Sequence, residues 1–111
     1  MKRIYSWNVN GIRAADRKGF FDYLTRESPD ILCVQEVKAQ PEQLKDHFIH
    51  PDGYTSYWNT AEKKGYSGVA VYVKQEPDNV KEMGIPQFDN EGRLLILEYP
   101  EFVLFNGYFP N

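Results

Sequence analysis

A chain of 111 residues is one domain's worth of polypeptide, which excludes a multi-domain reading. Its 41% hydrophobic and 15% aromatic content can fill a core, so it is not a disordered segment. With 13 Lys and Arg against 16 Asp and Glu the net charge is −3, which disfavours coating nucleic acid by general basicity and makes any DNA contact local.

The longest apolar run, Val69–Val73, has five residues, against roughly 20 for a membrane-spanning helix, so no transmembrane segment is expected. Met1-Lys2-Arg3 is basic, but no apolar stretch of secretory length follows it before Trp7-Asn8-Val9-Asn10. The single cysteine, Cys33, cannot form an internal disulfide and sits in Ile31-Leu32-Cys33-Val34. It reads as a buried thiol in a cytoplasmic protein.

In chain order, Ile4–Val9 is β-rich and Asn10-Gly11 breaks it. Gly19–Leu24 puts Phe20, Phe21 and Leu24 on one helical face, and Ser28-Pro29 ends that helix. The apolar strand Asp30–Gln35 completes a strand–helix–strand unit. Two parallel strands joined in this way finish at the same edge of a sheet, so Asn8 and Glu36 fall on one rim. Pro41–Phe48 reads as a weak short helix opened by proline. Four more strands follow at Tyr54–Trp58, Gly68–Lys74, Leu94–Tyr99 and Phe102–Tyr108, with loops at 59–67, 76–92 and 100–101. The last two strands are expected to pair as an antiparallel hairpin. The pattern predicts an α/β fold whose mixed sheet carries helices on one face.

Glu36 stands just past an apolar strand, where a carboxylate can leave the core and meet a ligand; at an isolated position the alternative is a solvated surface Glu. Asn8 has its own alternative in closing a turn. Together they suggest a magnesium site, because Mg²⁺ takes one or two carboxylates, keeps several waters and accepts phosphate oxygens. Glu36 would supply the charge, Asn8 a weak ligand or a support, and Asn10 an outer contact. Lys63-Lys64-Gly65-Tyr66-Ser67-Gly68 suits a phosphate backbone or an ordinary polar turn. Arg13, Arg17 and Lys18 form a second basic cluster, which is a solvated helix start unless the neighbouring rim is a site. His47 and His50 lack the further ligands that zinc requires and read as surface residues. Cys33 in its apolar strand is no nucleophile.

Four strings carry a resemblance: Ser6-Trp7-Asn8-Val9-Asn10-Gly11-Ile12-Arg13-Ala14, Ile31-Leu32-Cys33-Val34-Gln35-Glu36-Val37-Lys38, Gly65-Tyr66-Ser67-Gly68-Val69-Ala70-Val71 and Asn106-Gly107-Tyr108-Phe109-Pro110-Asn111. In this order and spacing they resemble the exodeoxyribonuclease III and apurinic/apyrimidinic (AP) endonuclease family of DNA-repair nucleases, over the whole chain. The resemblance implies a deoxyribonuclease I-like endonuclease/exonuclease/phosphatase fold, a four-layer α/β sandwich of which this chain supplies half. It also implies a Mg²⁺-dependent phosphodiesterase, with Mn²⁺ as an alternative metal, acting in base excision repair on double-stranded DNA, 5′ to abasic sites and at 3′ ends.

By motif match, Glu36 is the principal metal ligand, Asn8 supports metal and phosphate, and Asn10 lies close behind. Tyr108 matches the family's active-site tyrosine at the scissile phosphate, and Asn111 a phosphate-side contact. Arg13, Lys18 and Tyr66 match positions that touch the DNA backbone. The family's chain is about twice as long, and its second half carries a Gly-Asp-x-Asn string and a terminal Ser-Asp-His, absent here. Residues 1–111 are therefore expected to be the N-terminal portion of one nuclease domain, with the second sheet and the catalytic base in the missing half. Such a portion is expected to be inactive alone and to self-associate through an uncovered sheet face. The rival readings are a non-catalytic half-domain that binds DNA or protein, and a hydrolase of another phosphoester such as a phosphoinositide.

Overall fold

The computed structural model describes residues 2–63 and 65–109, in which two β-sheets pack face to face and helices cover one outer face. Strand β1 (Ile4–Asn8) turns into helix α1 (Ile12–Arg17), and α2 (Phe20–Glu27) follows. Ser28 closes α2 in a left-handed conformation, its N–H donating to the Leu24 carbonyl, and Pro29 prevents continuation. Strand β2 (Ile31–Gln35) returns parallel to β1 and pairs with it directly, with Asn8 aligned on Gln35.

The helix expected over Pro41–Phe48 is instead two pieces. A 3₁₀ turn spans Pro41–Gln43 and helix α3 spans Asp46–Ile49, because Leu44 and Lys45 between them take extended backbone angles. Strands β3 (Thr55–Asn59) and β4 (Val69–Val73) complete a mixed sheet of order β1-β2-β4-β3. All five residues of β4 have no exposed surface, as a strand covered on both faces requires. On one face Ile12, Phe20, Leu24 and Phe48 pack against Leu32, Val34, Ala70 and Tyr72. Each large apolar side chain buried in this way contributes about 1.5–3 kcal/mol. The Tyr72 hydroxyl stays satisfied by donating to the Phe48 carbonyl at 2.6 Å.

The other face departs from the single mixed sheet expected from the sequence. Strands β6 (Leu94–Glu98) and β7 (Val103–Gly107) form the expected hairpin, but with β5 (Asn79–Lys81) they make a separate sheet of order β5-β6-β7. The second sheet therefore begins within this chain rather than wholly in the relatives' second half. Val69, Val71 and Val73 meet Leu95, Leu97 and Tyr99, so the Gly68–Lys74 strand leaves no open apolar face. The physical reason is that β4 is apolar on both sides while helices reach only one. Exposed apolar side chains lie instead at Ile4 and Trp7 of β1 and at Val103 and Phe105 of β7. Helix α4 (Pro86–Asp89) and β5 occupy a stretch read as loop. Among the described residues no helix is long and apolar enough to cross a membrane.

Candidate active site

The register of β1 on β2 sets Asn8 and Glu36 side by side at one rim. Asn8 Nδ2 donates to Glu36 Oε2 at 2.6 Å, and Asn8 Oδ1 accepts the Asn10 N–H at 3.0 Å. Lys38 Nζ donates to Asn10 Oδ1 at 2.6 Å and stands 3.6 Å from Glu36 Oε1. A carboxylate oxygen and an amide oxygen thus converge on one cationic group, while the amide nitrogen of Asn8 braces the other carboxylate oxygen.

The backbone here is forced. Asn10, Glu36 and Lys38 have φ of 49°, 56° and 54°, a region that Asn tolerates but that costs most other residues about 1–2 kcal/mol. Bonds between loops hold it in place: Gly11 N–H to Glu36 O at 2.7 Å, Ile12 N–H to Val37 O at 2.9 Å, and Lys38 N–H to Ser67 O at 2.9 Å. The Val37 N–H also reaches Gly68 O, and the Gly68 N–H reaches Gly92 O, both at 3.1 Å. Gly92, at φ 62°, lies so close to its neighbours that an added Cβ would stand 2.6 Å from Ala61 N and 2.7 Å from Thr60 C.

Tyr108 reaches this rim from the other sheet. Two residues before it, the buried Asn106 donates to Val34 O at 3.2 Å and to Ala70 O at 2.8 Å. Its Oδ1 accepts from Gln35 Nε2 at 2.8 Å, and the same Nε2 donates to Ser6 Oγ at 3.0 Å. This network fixes β7 over β2 and β4, next in sequence to Glu36 at Gln35, while Gln35 ties in β1 through Ser6. Desolvation, and then the nearby Glu36 carboxylate, raise the Tyr108 hydroxyl above its ordinary value. The phenol is therefore protonated, and able to donate, throughout the neutral range.

One functional candidate escaped the sequence reading. Arg93 Nη2 donates to the Tyr66 hydroxyl at 3.0 Å, and its guanidinium lies 6.0 Å from the centre of the Tyr108 ring. The hydrogen bonds that Arg93 donates to the Glu91 carboxylate are the main cause that raises its pKa, and the ion pair is 3.1 Å long. Arg93 precedes β6 at the level of Tyr108, whose N–H donates to the Arg93 carbonyl at 2.8 Å, a pairing that no sequence pattern carries.

Tyr66 is 42% exposed, with Lys63 Nζ 5.7 Å from its ring centre. Arg13 and Lys18 are exposed on α1 and at its C-cap, Arg13 two residues past the Gly11 that bonds to Glu36. Asn111, Pro110 and Lys64 lie outside the described residues. His47 and His50 are exposed and pair with Asp16 and Asp46 respectively. Cys33 is buried, and burial pushes its thiol from 9.0 up to about 11.

Among the described residues no group of three or more His, Cys, Asp or Glu side chains could hold a metal. The donors at the rim nonetheless fit a hard cation that keeps waters and binds substrate phosphate. Glu36 Oε1 and Asn10 Oδ1 already share a positive charge, that of the Lys38 ammonium.

Comparison with known proteins decides the family. The model of the Endonuclease/Exonuclease/phosphatase family matches residues 5–110. The chain belongs to this family. It is 46% identical over 111 residues to the exodeoxyribonuclease of Bacillus subtilis (strain 168), covering 98% of this chain and 43% of that protein. It is 41% identical over 110 residues to the DNA-(apurinic or apyrimidinic site) endonuclease of Dictyostelium discoideum, covering 98% of this chain and 30% of that one. Among solved structures it is similar to the AP endonuclease from Archaeoglobus fulgidus, with a TM-score of 0.79 and 30% identity over 99% of this chain and 42% of that chain. The chain thus spans less than half the length of these relatives.

Proposed function

We propose that this chain is the N-terminal portion of a DNA-repair phosphodiesterase of the AP endonuclease and exodeoxyribonuclease kind. Its substrate on this reading is double-stranded DNA with abasic sites or 3′ ends. The observation that carries the proposal is the meeting of Glu36 and Asn8, from one sheet, with Tyr108 and Arg93, from the other, at a single rim. Relatives named for cleavage at abasic sites support the substrate. The free, buried Cys33 supports a cytoplasmic setting.

In this reading Glu36 and Asn10 would hold Mg²⁺, or Mn²⁺, with Asn8 bracing the carboxylate. The metal would supply positive charge for a phosphodiester under attack by water. Tyr108, kept protonated, donates a hydrogen bond to a phosphate oxygen, and Arg93 adds a fixed cation beside it. Tyr66, Arg13 and Lys18 lie along the DNA backbone, with Asn111 assigned by motif alone. On this reading the group that takes the proton from water is not among the residues assigned here. Loss of a single preorganised donor costs about 10²–10³ in rate, so these residues alone are expected to be close to inactive.

The test is nicking of a duplex with one abasic site, with and without Mg²⁺. It uses the 111-residue chain and a chimera in which it replaces the matching segment of the Bacillus subtilis relative. The chimera should nick with Mg²⁺, the chain alone should not, and Glu36→Gln in the chimera should abolish nicking while leaving its thermal unfolding unchanged. Undiminished nicking by the Glu36→Gln chimera would refute the assignment.

A further inference from the structure

We propose that Glu91 is a positioning residue: its carboxylate grips one edge of the Arg93 guanidinium, so that the opposite nitrogen, Nη1, is presented to the phosphodiester at the rim. The phosphodiester rests on the nuclease reading above; the grip rests on its own geometry. Arg93 Nε donates to Glu91 Oε2 at 3.2 Å, and Nη2 donates to Glu91 Oε1 at 3.1 Å. The other N–H of Nη2 goes to the Tyr66 hydroxyl at 3.0 Å. Three of the five guanidinium N–H donors are thus committed, and among the described residues the two on Nη1 have no acceptor.

The chain around the pair is fixed on both sides. Gly92, between the two residues, has φ of 62°, donates its N–H to Asp89 O at 3.0 Å and accepts the Gly68 N–H at 3.1 Å. Only 12% of the Arg93 side chain is exposed against 43% of Glu91, so the cation is largely enclosed while its anchor reaches solvent. The hydrogen bond from Arg93 holds the Glu91 carboxyl below its ordinary value, so the grip persists through the neutral range. An ion pair with a half-exposed partner adds little to stability. A carboxylate beside a phosphate-binding cation also opposes the approach of a polyanion, so a guanidinium serving affinity alone would do better without it. What the carboxylate supplies is direction. The planar fork is held at two points, and a donor oriented before the substrate arrives acts most strongly where charge develops during reaction.

The experiment places Glu91→Gln, Arg93→Lys and the two together in the 111-residue chain and in the chimera with the Bacillus subtilis relative. In the ¹⁵N-labelled chain the Arg93 Nε–H resonance, identified by its loss in Arg93→Lys, should be protected from exchange with water. Glu91→Gln should remove that protection. In the chimera Glu91→Gln should lower kcat for nicking by about tenfold or more, since misplacing a contact by about 1 Å can cost about 10²-fold. KM should hold or fall, because a negative charge has left the surface that meets DNA. A merely structural role would lower Tm and leave kcat at low temperature unchanged. Once Arg93 is replaced by Lys, Glu91→Gln should cost no further kcat. An Nε–H equally protected with and without Glu91, an unchanged kcat, or an equal loss of kcat in both backgrounds would each overturn the proposal. Failure of the unvaried chimera to nick would refute the nuclease reading and the phosphodiester with it, while the Nε–H signal decides the grip separately.

Discussion

Asn106 offers the most direct measure of how the two sheets are locked into the geometry that brings Tyr108 to Glu36. It is 2% exposed and makes three hydrogen bonds, two to main-chain carbonyls of the facing sheet and one to Gln35. Asn106→Leu keeps the number and branching of the side-chain heavy atoms and removes all three. At about 1 kcal/mol for each bond, and with the orphaned Val34 and Ala70 carbonyls and Gln35 amide kept from water, the cost is about 3 kcal/mol. For a domain of this size 1 kcal/mol moves Tm by about 4 °C, so a drop of about 12 °C is expected. The assay is thermal unfolding followed by circular dichroism, with urea unfolding to confirm that the transition remains two-state. A drop below about 4 °C would show that apolar contacts alone set the sheets' alignment, and would refute the reasoning.

Further expectations concern the rim and the core. Gly92→Ala should destabilise by more than about 2 kcal/mol, since a Cβ there would press on main-chain atoms that cannot swing aside; a near-neutral urea midpoint would contradict this. The thiol of Cys33 is raised to about 11 and the hydroxyl of Tyr99 to about 12, so each holds its proton more tightly folded than unfolded. Their stabilisation is full below the unfolded pKa values and is lost as pH rises toward these folded ones. Urea midpoints should therefore hold level to about pH 8.5 and fall above it, and Cys33→Val should soften that fall; an unchanged alkaline profile in the variant would count against the thiol's part. Self-association survives as an expectation only in a narrower form, through Ile4 and Trp7 of β1 with Val103 and Phe105 of β7. Light scattering of the chain, repeated with Phe105→Lys, should show oligomers that the substitution reduces.

The strands were legible because apolar and β-branched runs bounded by Gly, Pro and Asn carry a period that one face of a sheet demands. The pairing of Asn8 with Glu36 was legible for the same reason, as both follow strands that end at one edge. Helix α1 was not, because Ile12–Arg17 is short and mostly polar and begins at Gly11 without a side-chain cap. Strand β5 escaped notice because all three of its residues are exposed and show no alternation. That a second sheet begins within these residues was hidden for a deeper reason: alternation along the β6–β7 hairpin tells which residues point inward, not which surface they point toward. Arg93 stayed invisible because its role comes only from two tyrosines that are 27 and 15 residues distant in sequence and adjacent in space.

The left-handed backbone at Glu36 and Lys38 bears on how this protein would respond to directed evolution. Asparagine adopts that conformation more readily than either residue, so a screen that rewards only heat resistance would favour it at both positions. At position 36 the exchange trades a carboxylate for a neutral amide on a slightly shorter stem, and the local fold would gain from it. Hardened variants would then emerge with the Glu36 carboxylate gone from the rim. A library screened for thermal endurance should hold residues 36 and 38 fixed, or it will select against the chemistry while improving the scaffold.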